Sequence, residues 1–283
     1  MTLEKIIKGL IPEKVKAAYY SCLGYKVHFR QFPNILLPTT FSEKIQRSKV
    51  FNRDARMPIR QDKVLVKALV AEMLGADYVI PTLWHGAHLP PKDQRNWPIP
   101  FVIKANHGCG WNIFVRTEAD CNWDEIEEKC TSWMSQVYGR TYGEWLYGEI
   151  RPQLLVEPFM SEVSNLPTDY KLWVFNGTVE LIQVITGRDT ANIGQAFYNK
   201  NWVKQPFNGT AIPLTEEVML PPVSLAKMMV AAETLAEDFA FVRVDFYELN
   251  QQLLFGEITF YPASGFSPFN PIEYEKQVGA LWQ

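Results

Sequence analysis

The sequence lacks three features that would each identify a class of protein: many cysteines, a long apolar run and an excess of charge of one sign. Cysteine occurs at four positions among 283 residues, with the spacing of neither a zinc site nor a disulfide scaffold: Cys22, Cys109, Cys121 and Cys130. No stretch is long and apolar enough for a membrane span or a signal-peptide core. The net charge of −3 does not favour nucleic-acid binding. We therefore expect a soluble protein of the reducing cytoplasm that does not bind nucleic acid.

The small net charge hides an uneven distribution along the chain. Residues 1–30 carry Lys or Arg at six positions and Glu at two, and several isoleucines lie among them. Such a segment has the composition of a basic amphipathic helix that lies on an anionic surface. It also has the composition of an ordinary helix packed on the body of the protein. The sequence leaves both interpretations open.

The N-terminal third differs in texture from the rest of the chain. Residues 1–98 are predicted to be mostly helical, with helices near 42–52 and 60–75. They run into a proline-rich stretch, residues 89–100, which is the best linker candidate. With a hydrophobic fraction of 47%, the chain can bury a large core as one domain or as two to three lobes.

The remaining sequence combines strand signals with single helices. Residues 99–160 are predicted as strand, glycine loop, strand, helix and strand, and Asn122 is a good capping residue for that helix. Residues 161–283 are predicted as antiparallel strands with one helix near 222–238. The pair Asn176-Gly177 between two apolar runs is a strong hairpin signal.

Two runs with period-two alternation, residues 241–247 and 253–260, form the most informative part of the sequence. The short polar link 250–252 between them predicts an antiparallel hairpin. The polar faces of the two strands carry Arg243 and Asp245 on the first and Glu257 and Thr259 on the second.

If the loop of this hairpin holds three residues, Asp245 lies opposite Glu257 and Arg243 lies opposite Thr259. Opposed carboxylates on a sheet repel each other, and a cation between them removes the repulsion. Oxygen ligands of this kind suit magnesium, which usually also takes oxygens from a nucleotide phosphate. An ordinary solvated strand face has the same pattern, so the hairpin by itself does not decide between the two.

A glycine loop joins two further predicted strands within residues 101–115. Lys104 lies on the first strand, and Gly108-x-Gly110 follows it. The loop is neither a phosphate-binding loop of the Walker type nor a dinucleotide fingerprint, because it joins strand to strand. Such a loop can cover nucleotide phosphates, with the lysine as a point charge and His107 beside it. A tight turn with an exposed lysine is the simpler alternative.

Residues 153–160 form a predicted buried strand that ends in Glu157 and is followed by a proline and an apolar pair. This pattern is that of a hinge between lobes, in which an adenine would lie against Phe159 and Met160. A plain core strand is the alternative. Further on, Lys171 and Arg188 are candidate cations for a transferred phosphate.

Taken in order, these features resemble the ATP-grasp superfamily, and most closely the TupA-like ATP-grasp family of teichuronopeptide and other surface-polysaccharide biosynthesis. The resemblance extends from about residue 34 to the C-terminus. The matching segments are Thr40–Gln46, Asp62-Lys63, Phe101–Gly108, Asp169–Lys171, Phe241–Phe246 and Gly256–Pro262. It implies an α+β, ATP-grasp fold in which two α+β lobes sandwich the nucleotide, with a mostly helical N-terminal region, residues 1–98. Residues 99–160 would be the small lobe with the flap, and residues 161–283 the large lobe with the magnesium site.

The resemblance also implies ATP and Mg²⁺ as cofactors and a role for each matching residue. The nucleotide-binding residues would be Lys63, Lys104, His107, Gly108, Gly110, Glu157, Phe159 and Met160. The catalytic cations would be Lys171, Arg188 and Arg243, and the magnesium ligands Asp245, Glu257 and Thr259. Thr259 departs from the family pattern, which commonly has Asn there, and a hydroxyl is a poorer ligand than an amide carbonyl. Glu162 is the nearest candidate for an acid on the ribose.

The implied activity is that of an ATP-dependent carboxylate–amine ligase that forms an amide through an acyl phosphate. Its substrates would be a small-molecule or glycan carboxylate and an amine, such as a uronic acid or amino sugar of a bacterial capsule or O-antigen. There are three alternatives: an ATP-grasp kinase acting on a sugar hydroxyl, a catalytically silent nucleotide- or glycan-binding module, and metal-dependent hydrolysis using His85-x-x-His88 or His107. The last is disfavoured because no acid motif accompanies these histidines. The cytoplasmic location would include peripheral contact with the inner face of the membrane or with glycan-assembly enzymes, if the basic N-terminus serves that purpose.

Overall fold

The computed structural model describes residues 12–160, 166–188 and 190–283. Within these ranges the helices are α1 (Glu13–Phe29), α2 (Phe41–Phe51), α3 (Arg56–Gln61), α4 (Leu65–Leu74), α5 (Trp123–Met134), α6 (Leu225–Ala236) and α7 (Tyr274–Leu281). The strands are β1 (Trp84–Gly86), β2 (Phe101–Ala105), β3 (Asn112–Val115), β4 (Leu154–Pro158), β5 (Asp169–Phe175), β6 (Thr178–Thr186), β7 (Gly194–Asn199), β8 (Phe241–Leu249) and β9 (Gln252–Thr259).

The strands form two antiparallel sheets. The smaller has the order β1-β4-β2-β3 and the larger has the order β7-β6-β5-β8-β9. Helix α5 covers the smaller sheet around Ile126 and Cys130, while α2, α4 and α6 contribute to the core of the larger one. Helices and antiparallel strands thus lie in separate layers, which confirms the predicted α+β class.

The predicted hairpin of β8 and β9 has the predicted pairing but a different loop. Asp245 lies opposite Glu257 and Arg243 opposite Thr259. The turn contains two residues instead of three, Asn250 and the residue after it, with φ of 50° and 65°, as in primed hairpin turns. A β-bulge after Asp245 shifts the register by one residue. The bulge therefore restores the pairing that a three-residue loop would have given.

Glycine at position 256 makes this bulge possible. A Cβ atom there would lie 3.1 Å from the carbonyl oxygen of Asp245 and 3.1 Å from the ring of Tyr247. That spacing is tighter than most side-chain contacts, so glycine lets the two backbones approach where β9 bends. The bend lies one residue before Glu257 and helps to aim its side chain.

Other local predictions can be compared directly with the structure. Asn176 and Gly177, with φ of 49° and 79°, form the turn between β5 and β6 as predicted. The side chain of Asn122 caps α5, and α6 lies within the range predicted for a helix. The prediction of a single helix in the C-terminal part is wrong, because α7 is a second one. Its buried Glu275 accepts hydrogen bonds from Ser42 on α2, a long-range contact that the local pattern does not contain.

The N-terminal part departs from its prediction in two places. The helix expected near 60–75 is divided into α3 and α4, because Asp62 leaves the helix and accepts hydrogen bonds from the backbone N–H groups of Val64 and Leu65 at 2.8 and 3.2 Å. The predicted linker packs against the start of β2, where the Trp97 ring lies 5.5 Å from that of Phe101. Strand β1, which precedes the predicted linker, pairs with β4. The smaller sheet therefore contains residues from both sides of the boundary predicted at residue 98.

Residues 1–11 of the predicted basic segment 1–30 lie outside the described residues. Helix α1 is the described portion of it, and it has Lys26 and His28 in its last turn. Of the helices that the structure describes, none combines the length and the apolarity needed to cross a bilayer.

Candidate active site

A cavity of about 540 Å³ is lined by residues of both sheets. The smaller sheet contributes Lys104 and Glu157, and the larger one contributes Lys171, Asp245 and Glu257. Strand alternation explains this arrangement, because each of these residues lies on the strand face that points away from the apolar core. The sequence-predicted candidates therefore come together across the cavity from two separate sheets.

One wall of the cavity holds a buried carboxylate between two lysines. Lys104 Nζ lies 2.5 Å from Oε2 of Glu157, and Lys67 Nζ forms an ion pair with Oε1. Burial by itself would raise the pKa of Glu157, but the charges of Lys104 and Lys67 lower it below its ordinary value. Glu157 is therefore ionised, and this Lys–Glu–Lys cluster has a net charge of about +1 at neutral pH.

The two lysines of this cluster are held very differently. Lys67 also donates to the backbone oxygen of Ile80 at 2.8 Å and to Oγ1 of Thr82 at 2.7 Å. Together with Glu157 these acceptors use all three of its N–H groups. Lys104 contacts Glu157 alone among the described acids, and its side chain is 26% exposed against 14% for Lys67. Lys104 is therefore the one that can turn towards a ligand.

The sequence reasoning missed Lys67. The available signal was a charged residue, the lysine in the otherwise apolar start of α4. A lysine at such a position needs an acidic partner or a route to solvent. Which of the two it has depends on how α4 docks against β4, and only the tertiary structure shows that.

An apolar slot adjoins the Lys–Glu–Lys cluster. Phe159 and Met160 line the cavity where β4 ends, as the predicted hinge requires. The Phe159 ring packs edge-on against Phe114 with centroids 5.7 Å apart, and Phe255 of the larger sheet also lines the cavity. A planar base fits a slot of this kind. Glu162, the ribose candidate, lies outside the described residues.

The glycine loop after β2 is held in place by Lys63 and packs closely against Trp111. Lys63 Nζ donates to the backbone oxygen of Gly108, and a Cβ atom at Gly108 would clash with the Trp111 ring at 2.5 Å. Gly110 has a φ of 74°, which favours glycine, and it lines the cavity. Lys63 also lines the cavity, whereas Gly108 does not.

His107 does not face the cavity in this structure. The side chain is buried, with Nδ1 3.0 Å from Oδ1 of Asn106 and Nε2 3.2 Å from the backbone oxygen of Trp133. Burial lowers the pKa of the imidazole, and the nearby charge of Lys63 acts in the same direction. The predicted ligand contact of His107 is thus absent from the described geometry, in which the ring supports the glycine loop.

The opposite wall holds an arginine between the two predicted metal ligands. Arg243 donates from Nε to Oδ1 of Asp245 at 2.7 Å and from its terminal nitrogen to Oδ2 at 2.8 Å. The same nitrogen contacts Oε1 of Glu257 at 3.0 Å and Oγ1 of Thr259 at 3.1 Å. The sequence predicted a cation between the carboxylates, and in this structure a guanidinium occupies that position.

Two further cations and a third carboxylate complete this wall. Lys171 forms ion pairs with Asp245 and, at 3.0 Å, with Asp169. Arg188 lies 2.6 Å from Oδ2 of Asp169. The resulting six-residue cluster has three cations and three carboxylates, so it is close to neutral: Lys171, Arg188, Arg243, Asp169, Asp245 and Glu257. Its members lie on β5, β8, β9 and the loop after β6.

The six-residue cluster shifts the pKa values of its carboxyl groups in opposite directions. Burial opposes ionisation of Glu257, but Arg243 and the surrounding lysines lower its pKa to about 2. Burial raises the pKa of Asp245, and repulsion from Glu257 and Asp169 adds to this, while Arg243 and Lys171 oppose it. Asp245 is therefore the carboxylate that gains most from an additional cation.

Magnesium fits the donor atoms of this wall. Asp245 and Glu257 line the cavity, and Oε2 of Glu257 accepts no hydrogen bond from the described residues. Thr259 is not among the lining residues. The part of the chain that the structure describes contains no group of three or more His, Cys, Asp or Glu that could hold a metal. A magnesium ion here would therefore need oxygens from water or phosphate, which is its usual mode of binding.

Similarity to known proteins was found at the level of sequence and of structure. The sequence model of the TupA-like ATP-grasp family matches residues 43–283. A D-alanine–D-alanine ligase from Bacillus anthracis is 15% identical with a TM-score of 0.45, over 71% of this chain and 57% of the ligase. The ligase from Helicobacter pylori is 16% identical with a TM-score of 0.41, over 78% and 56% of the two chains. The ATP-grasp ligase PsnB, solved with its minimal precursor, is 12% identical with a TM-score of 0.44, over 81% and 61%.

The chain thus spans somewhat more than half of the length of these ligases. A search of curated proteins gave no match. The family match covers most of the chain, including α4, the glycine loop and both walls of the cavity. This protein belongs to the TupA-like ATP-grasp family.

Proposed function

We propose that this protein is an ATP-dependent carboxylate–amine ligase whose active site is the cavity between the two sheets. The observation behind the proposal is the pairing of a net-positive wall and apolar slot with a neutral wall rich in carboxylates. The first suits a nucleotide with its phosphates, and the second suits a magnesium ion beside the transferred phosphate. Family membership supports the same assignment.

In the proposed complex the adenine lies between Phe159 and the residues of the larger sheet. Lys104, which has a single acidic partner, turns towards the phosphates, and Lys63 supports the glycine loop above them. Magnesium held by Asp245 and Glu257 would supply charge neutralisation to the phosphate oxygens. Arg243 would then move from the carboxylates to the substrate side, because the metal replaces its charge.

The proposed reaction has two steps. A carboxylate oxygen of the first substrate attacks the γ-phosphorus of ATP, and ADP leaves, which gives an acyl phosphate. The amine nitrogen of the second substrate attacks the acyl carbon, phosphate leaves, and the nitrogen loses a proton. The cations Lys171, Arg188 and Arg243 would orient the carboxylate and stabilise negative charge in both steps.

For the substrates, we propose the uronic acid of a bacterial surface polysaccharide as the carboxylate and an amino acid or amino sugar as the amine. The support is the surface-polysaccharide role that the resemblance to this family implies, together with a cavity whose cations can bind a carboxylate. Contact with a membrane or with other glycan-assembly enzymes is part of the same proposal.

The decisive experiment is a thermal-shift titration with ATP or ADP, with and without Mg²⁺, on wild type and Asp245→Asn. A ligand of the native state raises the melting temperature by mass action. We expect a magnesium-dependent rise that Asp245→Asn abolishes and that Asp124→Asn, an exposed control on α5, retains. No rise with any nucleotide would contradict the proposal.

The reaction type is tested by ADP release from the same protein. A ligase needs both a carboxylate and an amine for sustained turnover, and the product is an amide detectable by mass spectrometry. ADP release with a hydroxyl compound alone, and a phosphorylated product, would identify a kinase instead.

A further inference from the structure

The wall of the cavity next to the six-residue cluster contains a chain of amide hydrogen bonds. Gln195 on β7 is fully buried, and its Nε2 donates to Asn208, to Oγ1 of Thr210 at 2.6 Å and to the backbone oxygen of Ile212 at 2.9 Å. These contacts fix which end of the amide is nitrogen. Its Oε1 therefore accepts from Nε2 of Gln183, 2.7 Å away.

This chain of hydrogen bonds leaves one acceptor and one donor without a partner among the described residues. Because Nε2 of Gln183 is used, its Oε1 is the free end, and it accepts no hydrogen bond from the described residues. Oγ1 of Thr210 already accepts from Gln195 and from the backbone N–H of Ile212 at 3.1 Å. Its hydroxyl hydrogen is left to donate. Gln183 and Thr210 both line the cavity.

Aromatic rings line the same part of the cavity. Phe41, Trp173 and Phe269 are all among its lining residues, and their ring centroids lie between 5.2 and 6.0 Å apart. Lys171 lies opposite Gln183 in the register of β5 and β6. The aromatic surface and the free polar groups are therefore next to the cations proposed to bind a carboxylate.

Among the described residues, the amide chain and the aromatic rings include no acidic side chain. The described acids that line the cavity are Glu157, Asp169, Asp245 and Glu257, and each is paired with cations in one of the two clusters. An ammonium group would have to compete with these cations for a carboxylate. A hydroxyl can accept from Thr210 and donate to Gln183, and a ring can pack on the aromatic side chains.

We propose that this end of the cavity is a subsite for the hydroxylated ring of a sugar acid, recognised by Gln183 and Thr210. The inference rests on the proposed ligase function, and it specifies which substrate lies there: the carboxylate reaches the cations while the ring hydroxyls meet the amide chain. A free α-amino acid is disfavoured in this subsite because its ammonium would compete with Lys171 and Arg188 for Asp169.

The first test uses the wild-type protein saturated with Mg²⁺ and ADP, titrated calorimetrically with three probes. D-glucuronic acid carries both a ring with hydroxyls and a carboxylate, cyclohexanecarboxylic acid has the ring without hydroxyls, and L-glutamic acid has an ammonium. We expect glucuronic acid to bind at least about tenfold more tightly than either of the others. Equal or tighter binding of either comparison probe, or no binding of glucuronic acid, would overturn the inference.

The second test uses variants in the same titration. Thr210→Val keeps the volume and removes the hydroxyl, so glucuronic acid should bind about tenfold more weakly. Thr210→Ser should restore binding, and Thr178→Val, an exposed position on β6, should change nothing. ADP affinity shows that each variant is folded. Unchanged affinity in Thr210→Val would overturn the role of Thr210, whereas absence of ADP binding to wild type would overturn the ligase proposal itself.

Discussion

The two walls of the cavity solve the problem of buried charge in different ways. In the Lys–Glu–Lys cluster one carboxylate has two lysines from different elements, and one of them is partly exposed. In the six-residue cluster three carboxylates and three cations interlock on neighbouring strands. The first wall carries surplus positive charge, and the second is balanced.

This difference indicates what each wall can accept. Lys104 can move from Glu157 to a phosphate without leaving a buried carboxylate unpaired, because Lys67 remains on Glu157. The balanced wall can take a phosphate only together with a metal ion, or by displacing one of its own cations. We therefore propose anion binding by the smaller sheet and metal-assisted binding by the larger one.

The largest effect is expected when Arg243 is removed from the balanced wall. Arg243→Met leaves Asp245 and Glu257 facing each other with less compensation, which should lower the free energy of unfolding by about 3–5 kcal/mol. Denaturant unfolding measures it, with the exposed Arg140→Met as the control. A loss below about 1 kcal/mol would show that the wall does not depend on this guanidinium.

Removing the exposed lysine of the other wall should affect binding more than stability. In Lys104→Met, Glu157 keeps Lys67, so the protein should unfold at nearly the wild-type denaturant concentration. Its affinity for ADP should fall about 10- to 100-fold, through loss of a charge-assisted hydrogen bond. Calorimetry with Lys92→Met, which removes a surface lysine, provides the matched control. A variant with wild-type affinity would exclude Lys104 from the nucleotide site.

Lys67 provides a further test, because it lines the cavity but its three N–H groups are already used by Glu157, Ile80 and Thr82. Lys67→Met should confine Lys104 to Glu157 and weaken ADP binding about tenfold. Adding Glu157→Gln removes the negative charge that holds Lys104, so the double variant should recover most of its affinity for ADP. If the second substitution weakens binding further, Lys67 does not act by releasing Lys104.

The last expected effect is a pH dependence of the free energy of unfolding, to which Glu257 of the balanced wall contributes. The pKa of Glu257 falls from 4.5 to about 2 on folding, so the unfolded chain binds a proton first as the pH drops. Its contribution to stability is present above about 4.5 and is lost towards 2, with a slope near 1 kcal/mol per pH unit. Denaturant unfolding between pH 5 and 2.5 should give a shallower curve for Glu257→Gln. If the curves of wild type and Glu257→Gln were parallel, the lowered pKa of Glu257 would be contradicted.

Local sequence patterns predicted much of the fold and part of the site. The alternation in 241–260 predicted the pairing of Asp245 with Glu257, and Asn176-Gly177 predicted a hairpin turn. Both succeeded because strand alternation and turn conformation depend on neighbouring residues. The loop length of the first hairpin was wrong because a bulge and a shorter turn give the same pairing as a three-residue loop.

Long-range contacts were beyond the reach of such patterns. Lys67 meets Glu157 only after α4 docks near β4, and Gln195 meets Thr210 only after the loop following β7 folds back. From its sequence position in the glycine loop, the His107 ring could turn either to the ligand or to Asn106. Packing places it against Asn106. Loop closure and side-chain packing fix these choices, and neither has a period that sequence analysis can detect.

The sequence by itself determined the α+β class, the strands that carry Lys104, Lys171, Asp245 and Glu257, and the resemblance to the TupA-like ATP-grasp family. It did so because side-chain direction along a strand is set by local backbone geometry. Only the tertiary structure decided which charges neutralise each other: Arg243 between the carboxylates on one wall, and Lys67 behind Glu157 on the other. The reason is that ion pairing depends on distances of a few ångströms between separate elements, and these distances exist only once the two sheets and α4 have packed together.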